Sequence, residues 1–207
     1  MRWVMLIVTF CCVLGAGCGH IHGPGPTART GPDVQLRRRG RPLTLAGASL
    51  AVGDAAPDVE LISRRGDRVR LSDYRGKVVL LSVVPELGTP VCDQTTRTLE
   101  DSDLVRRDEV VVLTVSMDRW LEQQRWCQAN DVTEHMTLSD HPDEAFGRAY
   151  GLLVRETGDL ARSVLVIDRD GVIRHIETQR DMDRLPDLDA AAAVVRRLAD
   201  RAYTNYW

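Results

Sequence analysis

The sequence predicts an α/β domain with a central mixed sheet flanked by helices. Two runs, 78–84 and 109–116, are rich in β-branched residues and nearly free of charge, which is typical of strands buried on both faces. A helical pattern separates them, so the two strands should be parallel and joined by a right-handed crossover. Further along, an Asp170-Gly171 pair between two apolar runs predicts an antiparallel hairpin.

Length and charge limit the function classes. A chain of 207 residues can build one core, with some residues left over at an end. A formal charge of -3 and an isoelectric point near 6.0 give no attraction for polyanions. We therefore expect one domain and no nucleic-acid partner.

The first residues predict an export signal. Arg2 precedes the uncharged apolar run 3–16, which is short for a membrane span, and small residues then lead to Cys18. This pattern resembles a bacterial lipoprotein signal, in which residues 1–17 would be removed and Cys18 lipidated, although Gly15 replaces the usual aliphatic residue. An ordinary cleaved signal and an uncleaved anchor are the alternatives. We expect a cell-envelope protein tethered to a membrane and facing away from the cytoplasm, or a periplasmic or secreted one without lipidation.

Residues 18–42 are predicted to be a flexible linker, because Gly, Pro, Thr and Arg dominate without an apolar period. The basic cluster Arg37–Arg41 within it is either solvated or placed against anionic lipid headgroups. The globular domain should then span residues 43–207. Its first element is predicted to be an N-terminal β-hairpin, with strands at 43–45 and 48–52 around Gly47.

The remaining elements follow in order. Short strands are predicted at 59–62 and 68–71, and the central strand 78–84 leads to a helix from Pro90 to about Val105. After the second buried strand, Asp118 should cap a helix that carries Cys127, followed by a short strand at 136–138 and a helix at 143–150. A hairpin at 163–177 and a closing amphipathic helix complete the chain. This order matches a thioredoxin fold.

Cys92 is the centre of the predicted site. Thr89 should cap the helix with its hydroxyl, and Pro90 suits the first helical position. Cys92 then lies in the first helical turn, where free backbone N–H groups and the helix dipole favour the thiolate over the thiol. A strand that leads into a cysteine at a helix start predicts a nucleophilic sulfur.

The same segment resembles the thiol peroxidases, the atypical two-cysteine peroxiredoxins. Thr89-Pro90-Val91-Cys92 after Leu81–Pro85 is similar to the active-site motif of that family, and Cys127 follows 35 residues after Cys92. The likeness extends over residues 43–198. It includes the segments 53–58, 71–77, 125–127, 137–140, 150–151, 160–162 and 186–191.

The resemblance implies a role for each matching residue. Cys92 would be the peroxidatic cysteine and Cys127 the resolving cysteine, and Thr89 and Arg162 would hold the peroxide. Such a site must position both oxygens and stabilise charge on the leaving one, which a hydroxyl and a guanidinium can do. Pro85 would shield the sulfur from water, and the N–H groups of Val91 and Cys92 would complete the site.

The resemblance also implies the cycle and its partners. Cys92 sulfenic acid would condense with Cys127 to an intrachain disulfide after local unfolding, and thioredoxin or an equivalent dithiol would reduce it. Hydrogen peroxide and organic or lipid hydroperoxides would be the substrates of a homodimer without cofactor or metal. Thr95 stands where the family usually has Gln, and Glu86-Leu87-Gly88 replaces the usual Ser-Leu-Asp.

Two other classes stay open. A thioredoxin-like thiol-disulfide oxidoreductase shares the fold, but it normally carries Cys-x-x-Cys, and here Asp93-Gln94-Thr95 follows Cys92. A non-catalytic envelope lipoprotein would use Cys92 and Cys127 as a structural disulfide, which an oxidising compartment permits.

Overall fold

The computed structural model describes residues 26–200. Two 3₁₀ turns, Leu71–Tyr74 and Asp103–Arg106, accompany the regular elements, and no helix within the described range is long and apolar enough to cross a membrane. The elements in chain order are β1 (Leu36–Arg38), β2 (Arg41–Leu43), β3 (Leu45–Ala46), β4 (Glu60–Ser63), β5 (Arg68–Arg70), β6 (Val78–Val83), α1 (Pro90–Glu100), β7 (Val110–Ser116), α2 (Trp120–Ala129), β8 (Met136–Ser139), α3 (Ala145–Ala149), β9 (Leu153–Val154), β10 (Ser163–Ile167), β11 (Ile173–Thr178) and α4 (Leu188–Asp200).

The central sheet is mixed, as the sequence predicted. Its seven strands lie in the order β11-β10-β6-β7-β8-β4-β5. The pairs β6–β7 and β7–β8 are parallel, and the other pairs are antiparallel. The crossover helix α1 joins β6 to β7, and the Asp170-Gly171 turn joins β10 to β11. The two predictions that defined the fold class, a parallel crossover and a later hairpin, are both present.

The sheet divides the apolar core into two layers. On one face, Val78 and Leu80 of β6 pack with α4 and the end of α1. On the other face, Val79, Leu81 and Val83 pack with α3 and with apolar residues of the N-terminal segment. The alternation along β6 follows from the two-residue period of a strand, so both faces of the central strand are covered.

The predicted linker 18–42 is wrong for the part that the structure describes. Val34 and Leu36 are each only 3 % exposed and belong to the main core. β1 and β2 form a hairpin closed by Arg39 and Gly40, both at positive φ, as a two-residue turn between twisted strands requires. The fold therefore begins by Thr27, which pairs with Thr178. The predicted signal 1–17, Cys18 and the linker residues up to 25 lie outside the described range.

The N-terminal hairpin exists, but not between 43–45 and 48–52. β3 pairs with β9 instead, and Ala51 makes only an isolated bridge with Arg29. Gly47 is needed for close packing and not for a hairpin turn, because a Cβ at this position would collide with the Arg148 carbonyl.

Candidate active site

Cys92 lies in the first turn of α1, as predicted. Thr89 precedes the helix with an extended backbone, and Pro90 is the first helical residue. The first helical hydrogen bond runs from the N–H of Asp93 to the Thr89 carbonyl at 2.8 Å. The N–H groups of Val91 and Cys92 come before that bond and stay available to a ligand.

The Arg162 guanidinium lies against the sulfur of Cys92. Nη1 and Nη2 are each 3.5 Å from Cys92 Sγ, and both residues are buried, at 3 % and 0 % exposed. Nε of Arg162 donates to the Met182 carbonyl at 3.0 Å, which fixes the plane of the group. Two residues 70 positions apart in the sequence are thus combined into one buried, positively charged thiol site.

Apolar side chains also pack against Cys92. Val84, Leu87 and Cys92 form a small buried cluster against which Trp126 packs. Pro85, predicted to shield the sulfur, is buried beside Val84 at the end of β6. Such surroundings keep bulk water away and strengthen any charge interaction at the sulfur.

The Thr89 hydroxyl does not cap the helix, so this prediction is wrong. It donates instead to the Glu86 carbonyl at 3.3 Å, and no side-chain bond to the helix is present. The half-exposed hydroxyl lies three residues before Cys92 and closes the turn at Gly88, whose φ is +86°. Its predicted contact with a peroxide stays a prediction.

Two carboxylates that the sequence reading did not assign to the site hold the loop before Cys92. Asp93 accepts the N–H of Gly88 and Asp118 accepts the N–H of Leu87, both at 2.8 Å.

Asp118 also accepts the Ser116 hydroxyl at 2.7 Å, whereas Arg119 occupies the cap position of α2 that was predicted for Asp118. Burial raises the pKa of Asp118 above its usual value. The position of Asp118 after a parallel strand was the available signal, because such strand ends share one edge of the sheet.

Cys127 is buried on α2 and does not belong to this cluster. It is 3 % exposed, and its Sγ lies 3.5 Å from the Thr137 hydroxyl. A cleft of about 350 Å³ borders Cys127 and is also lined by Arg64, Arg65 and Gln124. Both Cys92 and Cys127 are free thiols. The structure therefore brings Cys92 and Arg162 together, whereas Cys127 packs against Thr137.

Glu100 at the end of α1 binds the loop that follows α2 through hydrogen bonds. Its carboxylate accepts the N–H groups of Thr133, Glu134 and His135 and also contacts His135 Nδ1 at 2.8 Å. Burial alone would raise the pKa of Glu100, but these N–H groups outweigh burial and lower it to about 2. Burial lowers the pKa of His135 against the attraction of Glu100. The helices that carry the two cysteines are thus joined at their C-terminal ends. Within residues 26–200, no His, Cys, Asp or Glu cluster is arranged to hold a metal ion.

The comparisons with known proteins agree with this geometry. The Redoxin family matches residues 51–194. The thiol peroxidase of Oceanobacillus iheyensis is 40% identical over 149 residues, 72% of this chain and 90% of the relative. That of Staphylococcus aureus (strain COL) is 40% identical over 165 residues, 80% of this chain and 99% of the relative. The chain belongs to the thiol peroxidase family.

Solved structures confirm the predicted thioredoxin-like fold for this thiol peroxidase. A peroxiredoxin-like protein from Aquifex aeolicus superposes with a TM-score of 0.73 at 28% identity, covering 80% of this chain and 97% of that one. The thiol peroxidase from Chromobacterium violaceum, at 16% identity, shows the same fold with a TM-score of 0.69 over 80% of this chain and 97% of its own. The enzyme is a peroxiredoxin, a thiol-dependent peroxidase.

Proposed function

We propose that this thiol peroxidase reduces hydroperoxides through Cys92, with Arg162 and the first N–H groups of α1 as the groups that hold the peroxide. The observation that carries the proposal is the contact of both Arg162 terminal nitrogens with Cys92 Sγ at 3.5 Å. The substrate is a hydroperoxide and the electron donor is a thiol. Hydrogen peroxide and organic or lipid hydroperoxides are the substrates we expect.

In the first step the Cys92 thiolate attacks one peroxide oxygen. An S–O bond forms, the O–O bond breaks, and the electron pair leaves on the second oxygen, which takes a proton to become water or an alcohol. Arg162 and the N–H groups of Val91 and Cys92 stabilise the charge that develops on that oxygen. The Thr89 hydroxyl can position the peroxide beside the sulfur.

In the second step the Cys127 thiol attacks the sulfenic sulfur of Cys92. The S–S bond forms as water leaves, which protects Cys92 from further oxidation. Because Cys127 packs on Thr137, α2 or the first turn of α1 must open locally before the sulfurs meet. Thioredoxin or an equivalent dithiol then supplies two electrons and regenerates both thiols.

The test uses the purified full chain with a dithiol reductant. We expect wild type to consume hydroperoxide continuously and Cys92→Ser to consume none. In a dithiol-free assay, Cys127→Ser should first reduce one hydroperoxide per chain and form Cys92 sulfenic acid. A second hydroperoxide then oxidises the sulfenic acid to sulfinic acid, which mass spectrometry detects. Equal hydroperoxide consumption by wild type and Cys92→Ser contradicts the proposal.

We propose further that the enzyme is tethered in the bacterial cell envelope through Cys18. The support is the order of Arg2, an apolar run, small residues and Cys18. Metabolic labelling with a fatty-acid probe should mark wild type and spare Cys18→Ala. Labelling of neither chain rules the tether out and leaves a periplasmic or secreted enzyme. A homodimer is the assembly expected, which sedimentation analysis of the purified chain tests.

A further inference from the structure

The segment after β11 decides where the Arg162 side chain points. The N–H of Gln179 donates to the Arg162 carbonyl at 2.9 Å, and Nε of Arg162 donates to the Met182 carbonyl at 3.0 Å. Residues 179–183 lie outside the regular strands. A chain stretch without a strand ladder of its own keeps its position only if other groups bind it.

The N-terminal segment supplies those groups. Thr27 and Thr178 exchange two backbone hydrogen bonds of 3.0 and 2.9 Å. Further along, the N–H of Arg37 donates to the Arg180 carbonyl at 2.8 Å, and the Arg37 carbonyl accepts the N–H of Met182 at 3.0 Å. The residue whose carbonyl orients Arg162 is therefore itself bound by Arg37.

Side chains add to this attachment. Arg37 forms an ion pair with Asp181 at 3.3 Å, with both side chains partly buried. The N–H of Arg39 donates to the Asp183 carboxylate at 2.7 Å. Val34 and Leu36 are buried in the core and so anchor the N-terminal segment to it. The hairpin β1–β2 is thus fastened to the core and to residues 180–183 at the same time.

We propose that residues 27–43 are a positioning strap for the guanidinium at the thiol, with Arg37 as its main positioning residue. Without the Arg37 main-chain bonds, the Met182 carbonyl is released and Arg162 no longer faces Cys92. Arg37 touches neither the sulfur nor the substrate, so it acts only through Met182 and Arg162. The inference rests on the proposed function for the reaction that Arg162 serves.

The test replaces one backbone donor. Arg37→Pro removes the N–H that binds the Arg180 carbonyl, and the control Asp108→Pro places a proline in an exposed turn outside the strap, after Arg107, whose backbone is extended. In single-turnover stopped flow, we expect the peroxide rate constant of Arg37→Pro to fall about ten- to hundredfold, as a small misplacement of a catalytic group predicts. Asp108→Pro should react as wild type does. Equal rate constants for Arg37→Pro and wild type overturn the strap.

A double-mutant cycle separates positioning from general loosening. If Arg37 acts through Arg162, then Arg37→Pro lowers the rate further by less than twofold when Arg162 is already glutamine. Independent, multiplying losses in Arg37→Pro/Arg162→Gln overturn the proposal. If Arg37→Pro loses its cooperative thermal transition, Thr27→Pro, which removes the N–H bound to Thr178, replaces it in the same cycle.

Alkylation of Cys92 tests the strap independently of the reaction with peroxide. A guanidinium at the sulfur favours anionic iodoacetate relative to neutral iodoacetamide. We use Cys127→Ser throughout, so that only one domain thiol reacts. The iodoacetate to iodoacetamide rate ratio should fall in Arg37→Pro and stay unchanged in Asp108→Pro. If wild type reduces no peroxide but the ratio still falls in Arg37→Pro, the proposed function is wrong and the strap is supported. An unchanged ratio in Arg37→Pro contradicts the strap.

Discussion

Both terminal nitrogens of Arg162 lie 3.5 Å from the sulfur of Cys92, and the pairing of two strands sets that distance. β10 pairs antiparallel with β6, with Ser163 opposite Val83. Arg162 precedes β10, so it lies beside the end of β6, where the loop that leads to Cys92 begins. The charge partner of the thiol is the buried residue that directly precedes a central strand of the sheet.

Replacing Arg162 tests what its shape contributes. Arg162→Lys keeps a positive charge but loses the planar fork, so we expect the peroxide rate constant to fall about a hundredfold, and at least as much for Arg162→Gln. Stopped-flow tryptophan fluorescence measures it, because Trp126 packs against Cys92. The control is Arg174→Lys, an exposed arginine paired with Asp168. A wild-type rate in Arg162→Lys would show that the fork is not needed.

Disulfide formation should loosen α2 or the first turn of α1. Cys127 is buried against Thr137, so joining it to Cys92 must break helical packing. We expect faster amide hydrogen exchange in residues 120–129 or in the first turn of α1 in the oxidised enzyme, with β6 and β7 still protected. Cys127→Ser treated with one equivalent of peroxide is the matched control and should keep its protection. Equal exchange in oxidised and reduced wild type argues against local unfolding.

Asp118 should stabilise the loop before Cys92. Asp118→Ala leaves the Leu87 N–H without its acceptor, and Leu87 is only 8 % exposed. We expect the free energy of unfolding in urea to fall by about 1–3 kcal/mol. Asp108→Ala, at an exposed aspartate, should change it by less than about 0.5 kcal/mol. Similar stabilities of the two variants would mean that Asp118 does not hold the loop.

The buried Asp140 should make stability depend on pH. Its carboxylate accepts the N–H groups of Phe146 and Gly147 at 2.8 Å, yet burial outweighs these bonds and raises its pKa from 3.8 to about 6. The folded state therefore holds the proton more tightly than the unfolded state. The resulting stabilisation is complete below pH 3.8 and is lost as pH rises through about 6.

The measurement is urea unfolding of wild type and Asp140→Asn between pH 4 and 7. Relative to the variant, wild type should lose on the order of 3 kcal/mol of unfolding free energy over this interval. The comparison cancels the opposite contribution of Glu100, whose lowered pKa favours the folded state above pH 4.5. Parallel curves for the two chains would show that Asp140 keeps its usual pKa.

The central sheet was predictable because strands buried on both faces have a distinctive amino-acid composition. The runs 78–84 and 109–116 contain β-branched residues and almost no charge, and Asp170-Gly171 marks a turn by its backbone preference. The sequence pattern of the N-terminal hairpin is weaker. Val34 and Leu36 are two apolar residues among arginines, and the turn Arg39-Gly40 lacks the asparagine or aspartate that usually signals positive φ.

The site was predictable in part. The helix start at Pro90 follows from local chemistry, so the place of Cys92 could be read from the sequence. Arg162 came from the family resemblance alone, because its contact with the sulfur depends on strand register. The bonds by which Asp93 and Asp118 hold the loop were missed, since their partners are backbone N–H groups whose directions depend on the turn at Gly88.

The alignment of β10 on β6 also limits how this protein can vary. Side chains along a strand alternate between the two faces of the sheet, so one inserted residue in β10 would turn Arg162 to the opposite face. Insertions in the exposed turn 155–158 leave the register intact. Length changes in descendants of this sequence should therefore accumulate in such turns, while the number of residues in β6 and β10 stays constant even where their identities drift.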